Sequence, residues 1–192
     1  MDKSTRQAIT VLNQGGIVIF PTDTVWGIGC RIDRPASIDR LFTIRKRPLI
    51  QAAPVLVYSG KIALTYWNSP SKIVDTLKKK YWPGALTIVS PCKKELVYTS
   101  VRGGGSTIGL RMPNHKKLLE VIAGSGGAIL GPSANFHGEK TPVDFDDLDP
   151  ELVKLVDYVL PGKSSSGLAS TVVDCSEENP KILRQGAVFI VE

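Results

Sequence analysis

Arg45, Lys46 and Arg47 put three cationic side chains in a row, and Pro48 ends the helical pattern that carries them. Three cations suffice to hold a polyphosphate, with alternate guanidiniums forking around phosphate oxygens. Gly131-Pro132-Ser133-Ala134-Asn135 answers that run with neutral hydrogen-bonding groups, Ser133 and Asn135, after the apolar stretch Gly127 to Leu130. A third group, Pro21-Thr22-Asp23-Thr24-Val25-Trp26-Gly27-Ile28-Gly29, follows the first strand pattern directly. Open α/β sheets bind ligands at such strand ends. Thr22, Asp23 and Thr24 are small hydrogen-bonding groups there, and Gly27 and Gly29 let a backbone approach a ligand closely. Each piece also has a structural reading. The basic run is then a helix C-terminus favoured by ~0.3–1 kcal/mol, and the Thr-Asp-Thr stretch a strand-to-helix turn. Read jointly, the three point to a nucleotide-using enzyme.

Two isolated arginines extend the set. Arg111 closes the apolar strand pattern of Ile108-Gly-Leu-Arg-Met-Pro113, where its guanidinium serves either carboxylate recognition or a structural ion pair. Arg184, in Ile182-Leu-Arg-Gln-Gly186, repeats that pattern. Ser170 and Thr171 open a strand reaching Asp174, and their hydroxyls serve a ligand or a turn. No GxxxxGK[ST], GxSxG or HExxH occurs, so any ATP use rests on scattered basic and hydroxyl groups. The three cysteines, Cys30, Cys92 and Cys175, form no CxxC and suggest neither a disulfide framework nor a zinc site. With only His115 and His137 present, the sequence argues against chemistry needing several histidine ligands.

The net charge of +6 and pI of about 9.3 point either to polyanionic partners, nucleic acid or nucleotide phosphate, or to solubility alone. The excess reads as spread along the chain, through Arg45–Arg47, Lys78–Lys80, Lys93-Lys94 and Lys116-Lys117. Hydrophobic residues at 42% and charged residues at 22% are ordinary for a globular domain. No apolar run nears the ~20 residues of a membrane span. The N-terminal residues lack the apolar core of a secretory signal, so a cytoplasmic location is expected.

These residues need a scaffold of alternating helices and strands. Helices are predicted over Ser4–Asn13, Pro35–Arg45, Ser71–Lys80, His115–Ala123 and Glu151–Val156. Strands are predicted over 17–20, 54–58, 85–89, 107–111, 128–130, 158–160, 170–174 and 189–191. Such alternation predicts one α/β domain over 1–192, with helices packed on a mixed sheet. The loops Arg102–Gly105 and Lys163–Gly167 are candidates for mobility.

The motif set resembles the YrdC-like family of threonylcarbamoyl-AMP synthases. Pro21–Gly29 matches its Pro-Thr-[Glu/Asp]-Thr-Val-[Tyr/Trp]-Gly-[Leu/Ile]-Gly stretch, Arg45–Pro48 its Lys-x-Arg-Pro, and Trp82–Thr87 its Trp-Pro-Gly-x-Leu-Thr. Arg111–His115 matches Arg-x-Pro-x-His, Ser133–Asn135 matches Ser-x-Asn, Ser170–Val172 matches Ser-Thr-[Ile/Val], and Leu183–Gly186 matches Leu-Arg-x-Gly. The matches fall in the family's order and cover nearly the whole chain.

The resemblance implies a single-domain twisted open mixed sheet with flanking helices and a concave basic cleft, similar to the RibB-like α/β twist. It implies a nucleotidyltransferase that makes L-threonylcarbamoyladenylate and pyrophosphate from L-threonine, bicarbonate or CO2, and ATP with Mg²⁺. No protein side chain is expected to hold the metal. The product feeds threonylcarbamoyladenosine at tRNA position 37 through a downstream tRNA threonylcarbamoyl-transferase complex. Carried over by position, Thr22, Arg111, Gly131 and Ser170 would hold L-threonine. Arg45, Arg47, Thr107, Ser133, Asn135, Thr141 and Arg184 would hold ATP. No general base is implied.

Three departures stand out. Arg45 replaces the family's first lysine, the stretch Arg47–Pro54 is two residues longer, and Tyr58 stands where many members have a threonine-contacting histidine. The chain resembles the short form without an appended C-terminal domain. One alternative is a paralogue of this fold that chiefly binds RNA, including double-stranded RNA. The other, a hydrogenase-maturation type of carbamoyl-adenylate module, fits poorly because Cys pairs are lacking.

Overall fold

The computed structural model describes residues 1–190. Asp2 caps the first helix by accepting the Thr5 amide at 2.7 Å, and α1 (Lys3–Asn13) buries Ala8, Val11 and Leu12. Gly15, at φ +85°, ends the helical run and turns the chain into β1 (Val18–Phe20). A six-residue loop then returns as β2 (Gly27–Gly29), paired antiparallel with β1 from Val18↔Gly29 to Phe20↔Gly27. The structural reading of this segment, a strand-to-helix turn, is thus replaced by a hairpin.

The elements that follow are α2 (Pro35–Ile44), β3 (Val55–Val57), α3 (Gly60–Tyr66) and α4 (Lys72–Tyr81). Next come β4 (Leu86–Pro91), β5 (Thr107–Arg111), α5 (Lys116–Gly124) and β6 (Ala128–Leu130). The chain closes with α6 (Pro150–Lys154), β7 (Tyr158–Val159), β8 (Thr171–Asp174) and β9 (Lys181–Arg184). The expected mixed α/β class holds, but the strands sort into two sheets. One has three strands in the order β2-β1-β7, and the other six in the order β6-β3-β5-β4-β8-β9. Both mix parallel and antiparallel pairs.

Backbone contacts weld the sheets together. Gly27 bridges Ser133 and Arg31 bridges Ile129, while the Ile28 amide bonds the Pro132 carbonyl at 2.9 Å. A Cβ at Gly29 would lie 1.8 Å from the Leu130 carbonyl oxygen, so this crossing needs a residue without a side chain. Gly29 therefore serves chain packing, which corrects its expected role of admitting a ligand. One buried cluster spans both sheets, joining Ile19 and Ile28 to Val55, Ile88 and Leu110 under the α2 residues Ile38 and Leu41. Each such side chain contributes about 1.5–3 kcal/mol of burial.

The C-terminal expectation differs from the structure. Residues 189 and 190 adopt no regular structure, and Val191 lies outside the described residues. The edge strand is β9 instead, paired with β8 through a bulge between Val172 and Val173. The loop at 102–105 is held by its own arginine, whose Nη1 donates to Gly104 at 3.2 Å and whose Nε donates to Val97 at 3.3 Å. The three cysteines are buried and free, and burial pushes the Cys30 thiol up to about 12. Among the described residues, no helix is long and apolar enough to cross a membrane.

Candidate active site

Where the two sheets meet, one cavity of about 140 Å³ opens between the β1–β2 loop, the turn after α2, the end of β5, the segment after β6, and the β8–β9 ends. Eight of the eleven sequence-predicted site residues line it: Thr22, Arg47, Arg111, Gly131, Ser133, Thr141, Ser170 and Arg184. Three are arginines, and no acidic residue lines the wall.

The inner end is a hydroxyl network around Arg111. Thr22 Oγ1 donates to the Val25 carbonyl at 2.8 Å and lies 2.8 Å from Thr24 Oγ1. Arg111 donates from Nη1 to Thr24 Oγ1 at 2.8 Å and from Nε to the Gly84 carbonyl at 3.0 Å. Its Nη2 is ion-paired with Asp23. The structural ion pair left open by the sequence is present, and Arg111 also lines the cavity. Burial pushes its guanidinium below the usual arginine value, and Asp23 opposes that shift.

A second network continues the wall at β4 and β8, which follow β5 in the order of the sheet. Thr87 on β4 and Ser170 share a hydroxyl–hydroxyl bond of 2.9 Å, and Arg184 donates to the Ser170 carbonyl from Nη2 at 2.8 Å and from Nε at 3.1 Å. The neighbouring Thr171 turns away, accepting the Gly186 amide at 2.9 Å and donating to Val188 at 2.6 Å. Ser170 therefore faces the cavity while Thr171 fixes a turn. Gly131 is required here because a Cβ would lie 2.4 Å from Leu56 Cγ. Arg47 arches over its own loop, donating from Nε to the Gln51 carbonyl at 3.2 Å.

Three predicted residues lie outside the cavity. Thr107 shares a sheet face with Arg111 but starts β5, four residues and ~13 Å from it along the strand. Arg45 is 2% exposed and donates from Nε to the Asn135 carbonyl at 3.0 Å, while its Nη1 has no partner. Burial, then the charge of Arg47, pushes Arg45 down to about 10. Asn135 is equally internal: its Nδ2 donates to the Phe136 carbonyl at 2.9 Å and to the Glu139 carbonyl at 2.8 Å. This pair braces the loop that presents Ser133. Tyr58 is exposed and off the cavity, and from β3 it is Leu56 that reaches the wall.

The sequence reading passed over Thr87, Trp26, Leu56 and Pro132 as lining residues. Thr87 and Trp26 sat inside motifs already singled out; Leu56 carried only the signal of a buried strand. His115 caps α5 by accepting the Leu118 amide on Nδ1 at 3.2 Å, and burial holds its imidazole below the ordinary histidine value. Its ring is therefore a structural acceptor. Among the described residues, no group of three His, Cys, Asp or Glu side chains stands where a metal ion could be held.

Chemically, the cavity pairs one buried guanidinium, Arg111, and several hydroxyls with two less buried cations, Arg47 and Arg184. Comparison with known proteins bears on this arrangement. Residues 10–186 match the Sua5–YciO–YrdC family, described as "Telomere recombination". The "Threonylcarbamoyl-AMP synthase" of Bacillus subtilis is 33% identical over 97% of this chain and 54% of its own length. The crystal structure of Pyrococcus abyssi Sua5 complexed with L-threonine superposes with a TM-score of 0.88 at 29% identity, covering 95% of this chain and 54% of that one. Escherichia coli YciO shares the fold, with a TM-score of 0.85 at 24% identity over 95% of this chain and 88% of that chain. The chain thus spans about half the length of the first two.

Proposed function

Because the chain belongs to the Sua5–YciO–YrdC family, we propose that it is an L-threonylcarbamoyladenylate synthase acting as one domain over 1–192. The observation that carries this reading is the meeting of Thr22, Arg111, Gly131 and Ser170 with Arg47, Ser133, Thr141 and Arg184 around one cavity. In it, L-threonine lies at the inner end with its carboxylate on Arg111 and its hydroxyl among Thr22, Thr24 and Ser170. ATP lies at the outer rim, its phosphates against Arg47 and Arg184 and its sugar or base toward Ser133 and Thr141. Arg45 and Asn135 then act by bracing the Ser133 loop, and Thr107 requires ATP to extend along the β5 face.

The chemistry asks for positioning and charge. The threonine ammonium first gives up a proton to solvent. The free amine then takes up CO2, supplied directly or by dehydration of bicarbonate, and loses a second proton to solvent to give a carbamate. A carbamate oxygen attacks the α-phosphorus, the P–O bond to the β-phosphate breaks, and pyrophosphate leaves with the bonding pair. Both reactants are anions, so cations must offset their repulsion and the charge developing on pyrophosphate. Arg47 and Arg184 fit that task. Alignment of the two reactants supplies up to ~7–11 kcal/mol, and no residue of the lining stands out as a general base, so the protons pass to solvent. Mg²⁺ supplies further neutralisation when bound, and the hydroxyl-and-guanidinium lining fits a metal carried in on the phosphates. The expected setting is cytoplasmic, with the labile product passed to a tRNA-modifying partner. Pyrophosphate release that requires both threonine and bicarbonate tests the reading.

One observation favours a second reading, an RNA-binding paralogue. The charge is not spread along the chain: residues 61–94 carry seven lysines against one acidic residue, Asp75, a balance of +6 that equals that of the whole chain. α3 and α4 bring these lysines together, with Gly60 against Lys78 and Lys93 Nζ 3.5 Å from the Leu64 carbonyl. None of these lysines lines the cavity, so the two readings do not compete for residues.

A further inference from the structure

Asp23 has no part in the ligand contacts assigned above, yet its carboxylate pairs with the one guanidinium at the inner end of the cavity. Its side chain is 11% exposed and that of Arg111 is 6% exposed, so the two charges share a desolvated environment. An arginine carries five N–H donors. Three are spent inside the protein, on the Gly84 carbonyl, Thr24 Oγ1 and Asp23 Oδ1. One donor on each terminal nitrogen remains, enough for a bidentate carboxylate. Asp23 thus fixes the guanidinium in plane. It also brings the formal charge of the inner end to zero, whereas Arg47 and Arg184 leave the outer rim cationic.

A charge-balanced inner end fits a ligand that is itself balanced. An anion placed on the two remaining donors of Arg111 still meets the repulsive field of the Asp23 carboxylate beside it. An α-amino acid brings its own ammonium, which Asp23 attracts. Resting on the synthase reading, we propose that Asp23 is a specificity-determining residue, selecting a zwitterionic α-amino acid over an anion of the same shape that lacks the ammonium. It acts through Arg111 and through its charge, and it touches no reacting atom.

The probe is 2,3-dihydroxybutanoate, which is threonine with a hydroxyl in place of the ammonium. Pyrophosphate release gives KM for threonine and for ATP, and Ki for the analogue, in the parent, Asp23→Asn and Asp23→Glu. Asp23→Asn should raise the threonine KM about 10–100-fold, as expected for loss of a charged partner, with the ATP KM unchanged. It should also lower the analogue's Ki, while Asp23→Glu keeps the parent's preference. Equal affinity of the parent for threonine and the analogue overturns the proposal even if Asp23→Asn fails to fold. So does an Asp23→Asn enzyme with the parent's threonine KM, or parallel losses for threonine and ATP that Glu does not rescue. If the parent releases no pyrophosphate, the synthase reading fails separately. Calorimetric titration of threonine against the analogue then decides the role of Asp23 alone, equal affinities again overturning it.

Discussion

Arg47 faces the cavity, while Arg45, two residues earlier, points into the protein against Asn135. Substitutions separate those situations. Arg47→Ala should raise the ATP KM about 10–100-fold, the value of a charge-assisted contact, while lowering stability by only ~1 kcal/mol. Asn135→Ala should instead cost roughly 1–3 kcal/mol of stability, because the Phe136 and Glu139 carbonyls and the Arg45 guanidinium lose a buried partner. Paired titration of ATP and thermal melts check both. Parent-like ATP kinetics in Arg47→Ala refute its phosphate role. At this scale the sequence was legible where a motif gathered hydroxyls and cations, as at Thr22 or Ser170. It was illegible where burial decided the outcome, since Arg45 and Arg47 look alike in sequence and differ only in which way the end of α2 faces.

At the level of elements, the apolar run of β6 between Gly127 and Gly131 and the strand pattern that Arg111 closes in β5 were legible, and both fall on their predicted residues. β2 was not, because Gly-Ile-Gly has little strand propensity and becomes a strand only by pairing with β1. β9 was hidden for a related reason: its four residues are exposed and its pairing is broken by a bulge, so no alternation marks it. Phe189 and Ile190 carry the apolar pattern without pairing. The crossing of β2 over β6 depends on Gly29. Gly29→Ala should destabilise by at least ~3 kcal/mol, because a methyl group cannot fit 1.8 Å from a carbonyl oxygen. At roughly 2–4 °C per kcal/mol, the melting temperature should fall by about 6–12 °C. A melt within 2 °C of the parent's would show that the two sheets are not welded there.

Seen whole, the molecule has two cationic surfaces with different consequences. The cavity places its arginines beside hydroxyls, as recognition of a small anion requires. The α3–α4 face is lysine-rich and open, as non-specific attraction to a polyanion requires. Replacing Lys61, Lys72 and Lys79 by Glu removes charge from that face without touching the cavity. If the face binds RNA, the log–log salt slope should flatten by roughly 2–3, with pyrophosphate release unchanged. An unchanged slope would remove the RNA reading.

The central claim is that the cavity joins threonine, a one-carbon acid unit and ATP in one product. Incubating the protein with ATP, Mg²⁺, L-threonine and ¹³C-bicarbonate, followed by mass spectrometry, tests this directly. The account predicts threonylcarbamoyladenylate carrying the label, formed in step with pyrophosphate, and none when L-valine replaces threonine, because the Thr22, Thr24 and Ser170 hydroxyls then lose their partner. Unlabelled or absent adduct alongside threonine-independent ATP breakdown, or equal product with valine, would contradict it.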